Sequence, residues 1–224
     1  MPNLRLNRRD EPFVWVTWLP PLLVGETACD FMLHQLANFY APKSDDTIPE
    51  TWIEDHNRLV NRIADQYQQL GRTVRIEYEN RIEIVSKTGV KVVGKPDLLV
   101  EEVSSGPEQS RGLVIDAKTG AQRLKDRAQV KLYMMMAKAA QSISGISQMP
   151  DGQLVYKDGT IIDIPHSDIT LEFKESVTRL LRIVNYTDPP DPRPGPFCRI
   201  CKFKEICPSA SEDGHSVIDK TDDF

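Results

Sequence analysis

The alternation of apolar and polar positions divides this chain into helical and extended segments. Residues 50–70 carry the clearest helical signal: Trp52, Ile53, Leu59, Val60, Ile63, Ala64 and Tyr67 recur near a 3.6-residue period, and Gly71 closes the run. Upstream, Thr17 before Trp18-Leu19-Pro20 reads as a capped helix start. Apolar positions continue past Cys29 to Phe39, and the turn-rich stretch 41–49 ends the segment. Downstream the period drops to two. Val74, Ile76 and Tyr78 alternate with charged residues; Ile82 and Ile84, a Lys87-Thr88-Gly89 turn and Val90 to Val93 follow, predicting a strand meander. Gly94-Lys95-Pro96-Asp97 interrupts it before a short apolar run at 98–100. A loop at 101–111, rich in Ser, Gly and Glu, leads to a buried strand at 112–118. Residues 125–141 contain no Pro or Gly and are expected to be helical, and 153–164 form a hairpin around Lys157-Asp158-Gly159. The last helix is expected over 167–184, with Asp168 near its start, where the macrodipole favours a carboxylate. Residues 188–197 hold five prolines and read as an extended connector. There is no internal repeat.

Composition narrows the class. A chain of 224 residues allows one full domain and a smaller appendage, and 40% apolar residues exclude collagen-like, low-complexity and wholly disordered classes. The net charge of −5 misleads, because residues 211–224 alone contribute −4 and read as a disordered acidic tail. The apolar stretch 13–24 is broken by Pro20-Pro21 and falls well short of the ~20 residues that span a bilayer. Arg5, Arg8 and Arg9 before it and Cys29 after it resemble a lipoprotein leader. Asp10-Glu11 and Glu26 argue against that reading, so a cytoplasmic protein is expected. Reduced thiols in that compartment favour metal binding or catalysis over disulfides.

Two constellations carry chemistry. The first is Pro96-Asp97 with Asp116-Ala117-Lys118 at the end of an apolar strand. Asp116 and Lys118 lie two apart and share one face, while Ala117 points the other way with its carbonyl available to the site. Two carboxylates from separate strands make a hard-oxygen site suited to Mg²⁺ or Mn²⁺, and a lysine beside them stabilises charge on a phosphorane. Taken alone, this spacing is as readily a turn aspartate and a surface ion pair. The next helix changes the weighting: Gln129 and Tyr133 lie at i and i+4 on one face. From residue 111 to 138, seven basic residues face only Asp116 and Asp126, a net +5 in an otherwise acidic chain. Arg123, Lys125, Arg127 and Lys131 lie in this segment, which is the electrostatic footprint of a bound polyanion.

The second constellation is Cys198-x2-Cys201-x5-Cys207, completed to four by the remote Cys29. Four thiolates satisfy tetrahedral zinc or a [4Fe–4S] cluster, and the three-plus-one layout tilts toward iron–sulfur. His34, His56, His166 and His215 carry no signal from spacing alone.

Pro96-Asp97, Asp116-x-Lys118 and Gln129-x3-Tyr133 resemble the RecB-like branch of the PD-(D/E)XK nucleases. With the one-plus-three cysteine plan added, the chain is similar to the iron–sulfur exonucleases associated with CRISPR loci, the fourth Cas protein; AddB-type helicase-nucleases share that plan. The resemblance implies an α/β, restriction-endonuclease-like core, a mixed central sheet flanked by helices. It also implies a small iron–sulfur subdomain formed by both ends of the chain. The expected organisation is residues 1–40 in the iron–sulfur subdomain, a nuclease core at 50–184, the connector and cysteine cluster at 185–210, and the tail at 211–224. By resemblance His56 joins Asp97, Asp116 and the Ala117 carbonyl as a metal ligand, Glu79 is an accessory acid, and His34 is a weaker candidate for the histidine's role. Lys118 positions or activates water, Gln129 and Tyr133 orient the strand, and Cys29, Cys198, Cys201 and Cys207 hold a structural [4Fe–4S] cluster. The implied activity is metal-dependent exonuclease action on single-stranded DNA ends or overhangs, trimming DNA for CRISPR spacer capture alongside the integrase complex. Rival readings are a RecB-like repair or phage nuclease outside CRISPR, a DNA-binding assembly module with an idle site, and a zinc protein of the same fold. Here Cys29 is followed by Asp30-Phe31-Met32, where the family usually has Pro and basic residues.

Overall fold

The computed structural model describes residues 6–26, 29–41, 49–103 and 110–209. The acidic tail, most of the 41–49 stretch and most of the 101–111 loop lie outside the described residues. The fold is α/β, with mixed sheets flanked by helices. Its centre is a five-stranded sheet in the order β2 (Val74–Ile76), β5 (Leu98–Val100), β6 (Leu113–Lys118), β7 (Asp151–Tyr156), β8 (Ile161–Ile164). β5 and β6 are antiparallel with Leu98 opposite Ile115, whereas β6 and β7 are parallel with Asp116 opposite Leu154. A parallel pair needs a crossover connection, and α4 (Leu124–Ala139) with the single turn α5 (Gln141–Ser144) supplies it. β6 is buried from Val114 to Ala117 because helices cover both faces of this central strand.

The expected meander from Val74 to Val93 does not form as one unit. β2 pairs with β5, while β3 (Ile82–Val85) and β4 (Lys91–Gly94) join β1 (Phe13–Trp15) in a separate three-stranded sheet, order β1-β4-β3. The hand-over is a 3₁₀ turn at Glu77–Asn80. The period-two pattern continues through Tyr78, but Glu77 takes a left-handed φ of +36° that ends the strand. The buried Asn80 amide then fixes the turn by donating to the carbonyls of Arg75, Pro96 and Asp97 at 3.0–3.2 Å.

α3 (Glu50–Gln69) lies on one face of the central sheet. Its Leu59, Val60, Ile63 and Ala64 pack against Leu98, Val100, Ile115, Ala117 and Val155. The other face is covered by α4 and α6 (Leu171–Val184), and Met134, Tyr133, Leu180 and Val184 belong to that larger core. α6 begins later than its pattern predicts: Thr170 caps it through Oγ1, which accepts the Phe173 N–H, and Asp168 ends a preceding 3₁₀ turn.

The single helix expected from Thr17 to Phe39 is instead the end of a 3₁₀ turn (Val16–Trp18), which follows β1, and two helices, α1 (Pro20–Leu23) and α2 (Asp30–Asn38). Gly25, at φ +75°, separates the helices, a conformation that glycine adopts without a Cβ penalty. This segment is core: Val14, Val16, Leu19, Leu33 and Ala37 are buried with α4 and α6. α2 is tied to the end of α6, with Asn38 donating to the Val184 carbonyl at 3.0 Å. His34 is buried beside it, with Nε2 3.0 Å from the Tyr186 carbonyl, so it is a paired core histidine rather than a ligand of the carboxylate site. No helix among the described residues is long and apolar enough to cross a membrane.

Candidate active site

The antiparallel register of β5 and β6 builds the site. Leu98 faces Ile115, so one residue further along the ladder Asp97 lies opposite Asp116. Asp97 Oδ2 accepts the Ala117 N–H at 2.7 Å, which holds the first carboxylate against the second strand. Asp116 and Lys118 share the face toward α4, with Lys118 Nζ 2.6 Å from Asp116 Oδ2. From α4, Gln129 donates to Asp116 Oδ1 at 3.2 Å and to the Tyr133 hydroxyl at 3.3 Å, and its own oxygen accepts from Lys118 at 3.4 Å. Gly94 lets Tyr133 reach this position, since a Cβ there would sit 2.9 Å from the tyrosine Cε1. Two motifs separated in sequence are thus parts of one packing solution.

α3 supplies the third side. His56 Nε2 lies 3.5 Å from Asp97 Oδ1 and 3.6 Å from Glu77 Oε1. One turn earlier, Trp52 stacks on the imidazole with ring centroids 5.3 Å apart and planes within 3°. Lys95 Nζ lies 3.8 Å from the other Glu77 oxygen. The expected accessory acid, Glu79, faces elsewhere: its carboxylate accepts the Ile76 N–H at 3.5 Å and caps the 3₁₀ turn. Glu77 takes the inward place. It is the non-glycine residue at positive φ among the described residues, and such a backbone costs on the order of 1–3 kcal/mol. A 2.8 Å bond from its N–H to the Asp97 carbonyl and the Asn80 amide hold it there. Periodicity conceals this residue, because an alternating strand would turn the Glu77 carboxylate to solvent.

Charge is concentrated where water is scarce. Asp116 is 2% exposed, and burial pushes its carboxyl up to about 7, helped by the charge of Asp97 and opposed by Lys118. For Lys118, burial works against the cation, but the charges of Asp116, Asp126 and Asp97 outweigh it and raise its pKa. The hydrogen bond to Asp97 raises the pKa of His56, with burial opposing. Burial also raises the pKa of Tyr133, keeping its hydroxyl protonated.

The donor set fits a hard divalent cation. Carboxylates and an imidazole converge, and the buried His56 Nδ1 lacks a hydrogen-bond partner. As the side chains stand, among the described residues no group of three or more His, Cys, Asp or Glu is disposed to hold a metal ion. The carboxylates are occupied by Lys118, Gln129, His56 and the Ala117 N–H.

A sequence profile described as the PD-(D/E)XK nuclease superfamily matches residues 24–208. The chain belongs to this superfamily. No curated protein matches it. Among solved structures, the crystal structure of SSO0001 aligns at a TM-score of 0.49 and 18% identity, covering 91% of this chain and 89% of that one. Membership in the superfamily implies a metal-dependent nuclease, a hydrolase that typically uses Mg²⁺ or Mn²⁺, with DNA as the expected substrate.

The basic stripe of this PD-(D/E)XK chain is only partly free. Lys125 lies 3.7 Å from Glu26, and Lys131 lies 4.0 Å from Asp168 with its ammonium over the Phe173 ring. Arg123 and Arg127 are exposed. The cysteines lie in a different region. Cys29 precedes α2, while Cys198, Cys201 and Cys207 sit in and beside two 3₁₀ turns, Pro196–Ile200 and Lys204–Ile206. All four thiols are free and half-buried. Cys29, Cys198 and Cys201 line one cavity of about 220 Å³ with Met32 and Phe197, yet they do not close on a common point. Burial raises the Cys201 pKa, and the neighbouring thiols of Cys29, Cys198 and Cys207 add to the rise.

Proposed function

We propose that this chain hydrolyses DNA phosphodiesters at the end of β5 and β6, acting as an exonuclease on single-stranded ends or overhangs. The observation that carries the reading is the convergence of Asp97, Asp116, Lys118, Gln129 and Tyr133 from two strands and one helix, with His56 and Glu77 closing the third side. Asp97, Asp116, His56 and the Ala117 carbonyl would hold the divalent ion, with Glu77 beside His56. When bound, that ion supplies Lewis-acid charge to the scissile phosphate. Lys118, kept protonated by the carboxylates around it, places a positive charge where the phosphorane develops. Gln129 donates into the Tyr133 oxygen, which leaves the phenolic O–H free to donate to the strand. Asp97 also ties β5 to β6 by accepting the Ala117 N–H.

The finer context, trimming DNA ends for CRISPR spacer capture with a structural [4Fe–4S] cluster at Cys29, Cys198, Cys201 and Cys207, rests on the resemblance of motifs. The cavity shared by three of these thiols supports it. Incubating end-labelled single- and double-stranded DNA with Mn²⁺, Mg²⁺ or chelator tests the main reading. Metal-dependent shortening from one end is expected, and Asp116→Asn should abolish it. Internal nicking would replace the exonuclease reading, and inertness on every substrate would leave a binding module. Absorbance and metal analysis of anaerobically purified protein distinguish iron–sulfur from zinc.

A further inference from the structure

We infer that Trp52 is a stacking platform for an unpaired nucleobase next to the phosphate held at the carboxylate site, a subsite that rests on the nuclease reading above. Trp52 and His56 are one turn apart on α3, and their rings lie parallel, 5.3 Å between centroids. The imidazole edge then reaches Asp97 and Glu77 at 3.5 and 3.6 Å, so the indole stands one ring away from the reacting region. The apolar positions of α3 that pack the sheet are Leu59, Val60, Ile63 and Ala64, in its middle. Trp52 lies before them and stays 45% exposed, with neighbouring Ile53 at 43%. Tyr78, which follows Glu77 in sequence, is 81% exposed.

A ring beside a phosphate site has a natural occupant. Every base carries a π-face, and stacking on an aromatic side chain contributes sequence-tolerant affinity on the order of tenfold per base. Within a duplex those faces are taken by neighbouring base pairs. The platform therefore selects a strand end or overhang with a free face, and specificity for unpaired DNA becomes a property of α3.

The test uses fluorescence anisotropy of labelled single-stranded oligonucleotides, with chelator present so that binding is read without cleavage. Intact strands are compared with strands carrying one abasic residue at each position in turn. In the wild-type chain, one abasic position should weaken binding about tenfold. In Trp52→Ala that penalty should disappear, because intact and abasic strands bind alike, and Trp52→Phe should restore most of it. Mn²⁺ binding by calorimetry and thermal unfolding should be unchanged in Trp52→Phe. An identical abasic penalty in wild type and Trp52→Ala overturns the proposal. So does a Trp52→Ala defect that is uniform across positions and matched by lost Mn²⁺ affinity, since that marks a brace for His56. These binding patterns are independent of turnover, so a catalytically inert protein would defeat the nuclease reading and leave the stacking pattern to be read as before.

Discussion

The carboxylate end of the central sheet and the cysteine-bearing turns are both assembled from distant parts of the chain, but they are held by opposite means. At the first, ladder register, the Asp97–Ala117 bond and the Gln129 bridge fix each group before any ligand arrives. At the second, short 3₁₀ turns carry half-buried thiols, and a bond from the Gly195 N–H reaches Cys198 Sγ at 3.2 Å. Pre-organisation by secondary structure makes a site whose chemistry can be removed without unfolding it. A site held by short turns would gain order only from a bound metal, and the proposed cluster's binding energy would there count as folding energy.

The comparison breaks most visibly at the aspartates. Asp97→Ala and Asp116→Asn should each abolish cleavage while thermal unfolding stays cooperative, as circular dichroism would show; full turnover in either variant would remove the site assignment. Next comes Glu77, where function and stability should part company. Glu77→Gly relieves the strained φ and should raise the melting temperature of the metal-free protein by about 2–4 °C. It should also weaken Mn²⁺ binding about 10–100-fold. Glu77→Gln keeps the strain and should lose affinity without the thermal gain, and equal melting temperatures for Gly and Gln would show that no strain is stored there.

On the cysteine side, Cys29→Ser should lose iron and visible colour as fully as Cys201→Ser. Proteolysis should then open only residues 186–209, because Phe31, Leu33 and Ala37 keep α2 in the main core. Retention of a full complement of iron would take Cys29 out of the ligand set. The smallest effect concerns the basic stripe. Arg123→Ala with Arg127→Ala should flatten the salt dependence of single-strand binding, by about 0.7 in log–log slope for each phosphate no longer neutralised. Lys125→Ala and Lys131→Ala should change it less, because Glu26 and Asp168 already partner those lysines. Equal slopes for the two pairs would place the strand elsewhere.

Much of the carboxylate site was legible because its rules are local. Asp116 and Lys118 share a face by the two-residue strand period, Gln129 and Tyr133 by the helical turn, and apolar runs on either side mark the strands that carry Asp97 and Asp116. α3 and the β7–β8 hairpin, with Gly71 and Gly159 at positive φ, also follow from pattern and punctuation. His56 entered only through resemblance, since a lone histidine on a helix has no period of its own.

What the tertiary structure alone decided is where a local pattern stops applying. Val74 to Tyr78 alternates as a strand should, but the left-handed Glu77 and the three carbonyls gathered by Asn80 turn the chain from one sheet to another. That turn carries the Glu77 carboxylate inward to His56, while the Glu79 carboxylate caps the turn instead. Periodicity reports which face a residue presents while the element continues. It carries no information on which distant strand offers the better partner, because that is settled by long-range packing and by which buried carbonyls need a donor.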